Sequence, residues 1–366
     1  MPFLTFILAL ALAAGLTPAV RWWAKRRNIV DAPSTDPARK RHRQPMPLLG
    51  GIAPFLAFSL VVWGVALTSD QLFGGFLMPK HLLGITLAGA VLMVGGYMDD
   101  RRHLRPSRQI IFPILAAVVI VASGIGIPYI TNPFGGTFNL DSIAWTVFHF
   151  HGEPYRIMLL ADAFAVLWLL ATTYTTKILD GLDGLVAGIT TIGGIIIATV
   201  SLGQEVLQPE TAILAMALAG AALGFLIWNW HPAKIFLGEG GSTWTGFMLG
   251  TLAILAGGKI ATALLILGLP ALDVGWSIAR RLFGHRKATQ ADRGHLHFRL
   301  LDVGLTHRQV VLLLYTVVAV FGSVTLVTRG EQKVMALASL GLVMLLLVTA
   351  VFFAYKQKKT SHRSER

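Results

Sequence analysis

Two carboxylates, Asp180 and Asp183, stand in the stretch T-K-I-L-D-G-L-D-G at 176–184, between the apolar runs 159–175 and 185–202. Residues three apart share a helix face, so both acids can converge on one object. An ionised Asp deep in a bilayer costs about 2.5–3.5 kcal/mol on insertion scales, and two close like charges raise each other's pKa. A cation therefore belongs beside them. The plain alternative is a polar helix cap, with Gly181 and Gly184 marking a loop.

Further polar stretches follow the same pattern. Arg39-Lys40-Arg41-His42-Arg43 runs into Pro45, Pro47, Gly50 and Gly51, rigid and then permissive, which predicts an ordered loop against the next apolar run. Asp99 and Asp100 close another run ahead of Arg101, Arg102 and Arg105. Acids are unfavourable at a helix C-terminus, so this pair also asks for a cation. In 229–242 (N-W-H-P-A-K-I-F-L-G-E-G-G-S), Glu239 sits among three glycines just before an apolar run, where backbone N–H groups and a helix start favour an anion. No Walker motif is present there. Asp273 lies inside an apolar run, and His295 and His297 face one site only if their segment is extended. Hard oxygen ligands without cysteine point to Mg²⁺ or Mn²⁺ held by one or two carboxylates and substrate phosphates. Phosphoryl transfer at a lipid–water boundary fits this set.

The elements that must position these residues are membrane helices. The 366 residues are 54% hydrophobic and only 13% charged, with no cysteine, which excludes disulfides and thiolate chemistry. Eleven apolar runs are near bilayer-spanning length: 3–20, 48–68, 80–98, 109–128, 159–176, 185–203, 211–228, 242–257, 259–279, 310–328 and 333–355. The first lacks a cleavage site and is expected to be retained. All but five of the 31 Lys and Arg (Lys80, Arg156, Lys259, Arg329 and Lys333) fall on one set of loops. The positive-inside rule makes that set cytoplasmic and the N-terminus external. The net charge of +13 then reflects topology, not nucleic-acid binding. The expectation is an all-α polytopic bundle of about eleven transmembrane helices, one domain over 1–355 with a basic cytoplasmic tail at 356–366. The external segment 129–158, rich in aromatics and carrying His149 and His151, reads as a small ordered cap or an interfacial segment.

The order of motifs resembles the polyprenyl-phosphate N-acetylhexosamine-1-phosphate transferases. The resemblance rests on R-K-x-H-x-x-P-x-P-x-x-G-G at 39–51, D-D at 99–100, D-G-L-D-G-L at 180–185, P-A-x-x-F-x-G-x-x-G-S at 232–242 and H-x-H at 295–297. The R-K-x-H and H-L-H forms are nearer the N-acetylglucosamine branch than the peptidoglycan branch. It implies a bacterial inner-membrane enzyme with a cytoplasmic site, in which a UDP-N-acetylhexosamine gives its sugar-1-phosphate to undecaprenyl phosphate and UMP leaves. It also implies Mg²⁺ (or Mn²⁺) as cofactor, and homodimers are known in the superfamily. Glu239 matches the family's Mg²⁺-binding Asp, with Asp100 and Asp183 as further metal partners. Asp99 matches the base or orienter of the lipid phosphate. Asp100, Asp180, Asp183 and His295 complete the catalytic set. Lys40, His42, Lys177, Asn229, Arg293 and His297 are the implied substrate contacts.

The chain also departs from the pattern. Glu239 replaces the expected Asp, Tyr174 and Lys177 stand where asparagines are usual, and Phe298 replaces a His. Lys177 is expected to supply the counter-charge for Asp180 and Asp183. Transfer of phospho-N-acetylmuramoyl-pentapeptide is the alternative within enzymes. A lipid-linked or nucleotide-sugar transporter is the alternative outside them, although a transporter would place its ionisable groups near the midplane in repeated halves.

Overall fold

The computed structural model describes residues 1–32, 44–132, 136–150, 153–204, 206–257, 260–283, 295–328 and 331–364. Every one of the eleven apolar runs becomes helical. The helices are α1 (Pro2–Arg26), α2 (Ile52–Thr68), α3 (Pro79–Arg102), α4 (Pro106–Gln109), α5 (Ile111–Ala122), α6 (Leu159–Leu179), α7 (Leu185–Leu202), α8 (Pro209–Asn229), α9 (Gly238–Leu255), α10 (Ile260–Phe283), α11 (Leu296–Val303), α12 (His307–Val324) and α13 (Glu331–Ser364). Among the described residues, seven helices are long and apolar enough to cross a membrane: α1, α3, α6, α7, α8, α12 and the first part of α13. The number rises to eight if α10, whose halves bend by 72° between Gly268 and Pro270, is counted as one span. Proline lacks the N–H for the ladder and its ring clashes with the preceding turn, which accounts for the bend. Of the remaining runs, α2 and α5 are shorter, and α9 opens on the polar Gly-Glu-Gly-Gly-Ser-Thr. Helix α13 continues from its apolar part through the basic residues to Ser364.

The all-α expectation needs a correction in the segment 129–158, which forms two antiparallel hairpins. These are β3 (Tyr129–Thr131) with β4 (Thr137–Asn139), and β5 (Ala144–Phe150) with β6 (Glu153–Met158), after the short pair β1 (Val30–Asp31) and β2 (Met46–Pro47). The run A-W-T-V-F-H-F is aromatic and β-branched, which suits a pleated surface better than a helix. Phe138 and Trp145 are exposed there, and His151 lies outside the described residues.

Helix α9 is the centre of the bundle. All its residues from Gly240 to Leu255 are buried, against α2, α3, α6, α7, α8 and α10. Small residues let these backbones touch, as they do where apolar association alone cannot select a partner. A Cβ on Gly96 of α3 would stand 2.1 Å from the Gly240 nitrogen, and one on Gly51 would stand 2.1 Å from the Gly241 Cα. On the other flank, Gly246 and Gly250 lie against Thr176 and Thr172 of α6. Hydrogen bonds lock this contact: Thr176 Oγ1 donates to the Ser242 carbonyl (2.7 Å) and Trp168 Nε1 to the Gly250 carbonyl (3.1 Å). The N-terminus of α9, and with it Glu239, is thereby placed to within van der Waals contact of α3 and α6.

Candidate active site

The C-terminal ends of α3, α6 and α8 and the N-terminal ends of α9 and α12 meet around one cavity of about 430 Å³. Asp31, Asp100, Lys177, Asp180, Asp183, Asn229, His231, Glu239, Phe298 and His307 are among its lining residues. The strand pair β1–β2 pins both ends of the basic segment at this rim, through Val30 opposite Pro47 and Asp31 opposite Met46. Lys40, His42 and Arg293 themselves lie outside the described residues.

Among the described residues, Asp100 holds the one buried carboxylate oxygen without a hydrogen-bond partner. Its Oδ1 accepts the Glu239 N–H (3.1 Å), capping the start of α9, where an anion is favourable. Its Oδ2 is buried with no hydrogen-bond partner and lies against Gly238, where a Cβ would come within 2.5 Å of it. Gly238 has φ +75°, a left-handed conformation that glycine adopts without strain.

Asp99 sits behind the cavity and does not line it. Its Oδ1 accepts from the Leu104 N–H (2.8 Å) and from Gln109 Nε2 (2.8 Å). Gln109 Oε1 in turn accepts from Lys177 Nζ (3.0 Å), and that ammonium lies 2.5 Å from Glu239 Oε1. Lys177 therefore neutralises Glu239, not the Asp180–Asp183 pair expected from its neighbourhood in sequence. The last turn of α6 faces the start of α9, while the two Asp follow in the loop beyond. Gln109 carried no sequence signal, because its only distinction is this bridging position.

Asp180 is open to the cavity yet walled in by protein. That enclosure, with the charges of Glu239 and Asp183 added, pushes its carboxyl up to about 7. The neutral form is favoured in the folded state, so stability is greatest below the ordinary carboxylate range and is lost as pH rises through about 7. Asp180→Asn is therefore expected to raise the melting temperature by about 2 °C near pH 8.5 and to change it far less near pH 4.5. Equal shifts at both pH values in a thermal-shift series would contradict this environment for Asp180.

Asp183 is committed elsewhere. Its Oδ2 takes His231 Nδ1 (2.7 Å) and the Ala233 N–H (3.1 Å). The His231 and His307 rings stack at 4.0 Å, and His307 Nε2 lies 3.3 Å from the Asp183 carbonyl. Asn229 is a staple between the same loops: its Oδ1 accepts the Gly184 N–H and its Nδ2 donates to the Ile235 carbonyl, both at 2.9 Å. Both ends of its amide are thus used within the protein, unlike the free substrate contact expected. His231 and His307 were missed by the sequence reading. Their signal was the His in N-W-H-P and a His opening a helix, and neither pattern is specific.

His295 and His297 do not reach the cavity. Both turn to the buried Asp273 of α10: His295 Nδ1 is 3.0 Å and His297 Nδ1 3.9 Å from Asp273 Oδ2, while the Leu296 N–H donates to Asp273 Oδ1 (2.8 Å). The rings stand parallel because His295 is the extended N-cap of α11 and His297 lies within its first turn. Burial pushes the His297 imidazole down to about 4, keeping it neutral, and its Nε2 abuts Gly181 of the acidic loop. The His pair supports the loop from behind. Asp273→Ala strips acceptors from two buried donors and is expected to destabilise the protein by about 2 kcal/mol, read as a lower melting temperature in detergent. An unchanged melting temperature with a collapsed rate would return His295 to the reacting groups.

The donor set tests the expected metal site. Among the described residues, the group whose ligand atoms lie within 4.8 Å of one another is Asp183, His231 and His307, not Glu239, Asp183 and Asp100. Glu239 is held by Lys177 and Asp183 by His231, which leaves Asp100 with the orphaned oxygen. One or two carboxylates, such as Asp100 and the cavity-facing Asp180, are what Mg²⁺ uses when substrate phosphates and water complete its shell.

Fold and site together define a multi-pass membrane protein with an acid-lined polar cavity at one end of its helices. Its relatives narrow the class further. The model of glycosyl transferase family 4 matches residues 82–257. The chain is 31% identical over 332 residues to the probable undecaprenyl-phosphate N-acetylglucosaminyl 1-phosphate transferase of Bacillus subtilis, covering 89% of this chain and 84% of that protein. It is 34% identical over 328 residues to the decaprenyl-phosphate N-acetylglucosaminephosphotransferase of Mycobacterium tuberculosis, covering 82% of this chain and 75% of that one. The chain belongs to glycosyl transferase family 4.

Proposed function

We propose that this protein transfers N-acetylglucosamine-1-phosphate from its UDP-sugar to undecaprenyl phosphate and releases UMP. The observation that carries the reading is the convergence of Asp100, Asp180, Asp183, Glu239 and Lys177 on one cavity at the helix ends, in a chain of this family. An oxygen of the lipid phosphate attacks the phosphorus that bears the sugar. A new P–O bond forms there, the bond from that phosphorus to the bridging oxygen breaks, and UMP leaves with that oxygen. The lipid phosphate is largely a dianion near pH 7, so positioning contributes more than proton removal.

The five acids that line this small space repel a diphosphate unless cations accompany it. Mg²⁺ borne by the nucleotide would offset charge developing on UMP, with Asp100, whose buried oxygen has no partner, to receive it. The basic segment beginning at the β1–β2 rim is suited to the remaining phosphate charge. We place the cavity on the cytoplasmic side of a bacterial inner membrane, because Lys25 and Arg26 close α1, Arg101 and Arg102 close α3, and Arg21 reaches the Lys234 carbonyl at that end of the bundle. Eleven crossings, with α2, α5, α9 and α10 included, account for the way the helix ends alternate around the cavity.

The test is purified protein with radiolabelled UDP-N-acetylglucosamine, undecaprenyl phosphate and Mg²⁺, with and without chelator. Label should move to the lipid phase, with UMP released, and chelator should stop it. Label transferred only from other UDP-sugars would remove the N-acetylglucosamine assignment, and transfer from none would remove the reading.

A further inference from the structure

Tyr174, Lys177 and Glu239, three positions at which the sequence departs from the pattern it resembles, meet in space. Lys177 Nζ contacts Glu239 Oε1 at 2.5 Å and lies 5.4 Å from the centre of the Tyr174 ring, a cation–π contact. A second donor direction of the ammonium is taken by Gln109 Oε1, and Gln109 is fixed by Asp99 and the Leu104 carbonyl. The Lys177 and Glu239 side chains are only 20% and 19% exposed, so the pair is largely shielded from solvent and screened less than a surface pair. The extra methylene of Glu over Asp carries the carboxylate outward from α9 to reach α6.

We infer that Lys177 is the resident cation of this cavity, its ammonium standing on the Glu239 carboxylate in place of a protein-held divalent ion. Three observations support the exchange. A divalent ion on Glu239 would have to sit about 2.1 Å from a carboxylate oxygen already in contact with an ammonium, and like charges at that range repel strongly. The ammonium is not a wandering side chain, since Glu239, Gln109 and Tyr174 hold it from three directions. Asp100, by contrast, keeps a buried oxygen with no partner beside the same helix start. The protein thus carries one fixed positive charge at the site and meets the ion that arrives with the nucleotide through Asp100. The inference deepens the functional reading above, but its test requires no turnover.

The experiment is Mn²⁺ titration of the purified full chain without nucleotide, with free Mn²⁺ read by electron paramagnetic resonance. Wild type should bind more weakly than about 1 mM, and Glu239→Gln alone should leave that affinity unchanged. Lys177→Asn frees the Glu239 carboxylate and should tighten binding by about tenfold or more, and adding Glu239→Gln to it should cancel the gain. Lys177→Arg, which keeps the charge, should behave as wild type. Micromolar binding by wild type that Glu239→Gln removes would overturn the inference, as would a Lys177→Asn protein, monodisperse on gel filtration, with unchanged affinity. Should Lys177→Asn fail to fold, the Glu239→Gln and Lys177→Arg comparisons decide the question by themselves.

Discussion

Asp100→Asn is expected to lower sugar-phosphate transfer by about 10²–10³-fold while leaving the protein folded and membrane-inserted. The substitution is nearly isosteric, and an Asn oxygen can still accept the Glu239 N–H that caps α9. What it removes is the one buried carboxylate oxygen without a partner among the described residues, the atom that would receive the ion brought by the nucleotide. The loss should therefore fall on turnover with little change in melting temperature. Asp99→Asn makes a useful contrast, because Asp99 lies behind the cavity and reaches Lys177 only through Gln109. A smaller loss is expected there. Initial rates with radiolabelled nucleotide sugar, set beside thermal midpoints, separate the two. Turnover of Asp100→Asn within tenfold of wild type would sink the role assigned to this residue.

The second large effect is on assembly. Gly96→Ala or Gly51→Ala should yield little or no folded protein, because the added methyl meets backbone atoms of Gly240 at 2.1 and 2.2 Å in the first and of Gly241 at 2.1 and 2.5 Å in the second. Overpacking ordinarily costs about 1–3 kcal/mol when side chains can shift. Here the obstacle is another helix backbone on the central α9, which cannot rotate away, so the cost lies above that range. Gly15→Ala and Gly64→Ala are the controls, since a Cβ at either position meets nothing within 4 Å. Their yield and melting temperature should match wild type or rise slightly, as alanine favours a helix by up to about 1 kcal/mol over glycine. The comparison is made by fluorescence-detected gel filtration of the four variants. A monodisperse Gly96→Ala protein of wild-type stability would mean that α3 and α9 do not approach as described.

The placement of helices was readable because each apolar run carries its own reason to be helical. In lipid every backbone group must find a partner within the segment, and that requirement is local. Loop 129–158 escaped the all-α expectation for the complementary reason. Its short aromatic and β-branched stretches find their backbone partners in a neighbouring strand, and pairing between strands leaves only a weak mark on composition. The count of eleven was less secure than the positions, because α2, α5 and α9 are too short or too polar to be distinguished from buried core helices by hydropathy.

What the sequence determined by itself was the set of apolar segments and the gathering of acids and cations at one end of them, since transfer of each segment from water depends on its own residues. Only the tertiary structure decided which acids are tied up by neighbours and which keep an oxygen open. Asp183 is occupied by His231, 48 residues away, Glu239 by Lys177, and Asp100 caps a helix 139 residues further on. His295 and His297, named for the site from their motif, were drawn instead to Asp273 in the packed interior. A carboxylate's availability depends on the neighbours its fold brings within hydrogen-bond reach, and those neighbours come from segments whose separation along the chain carries no information about their contact.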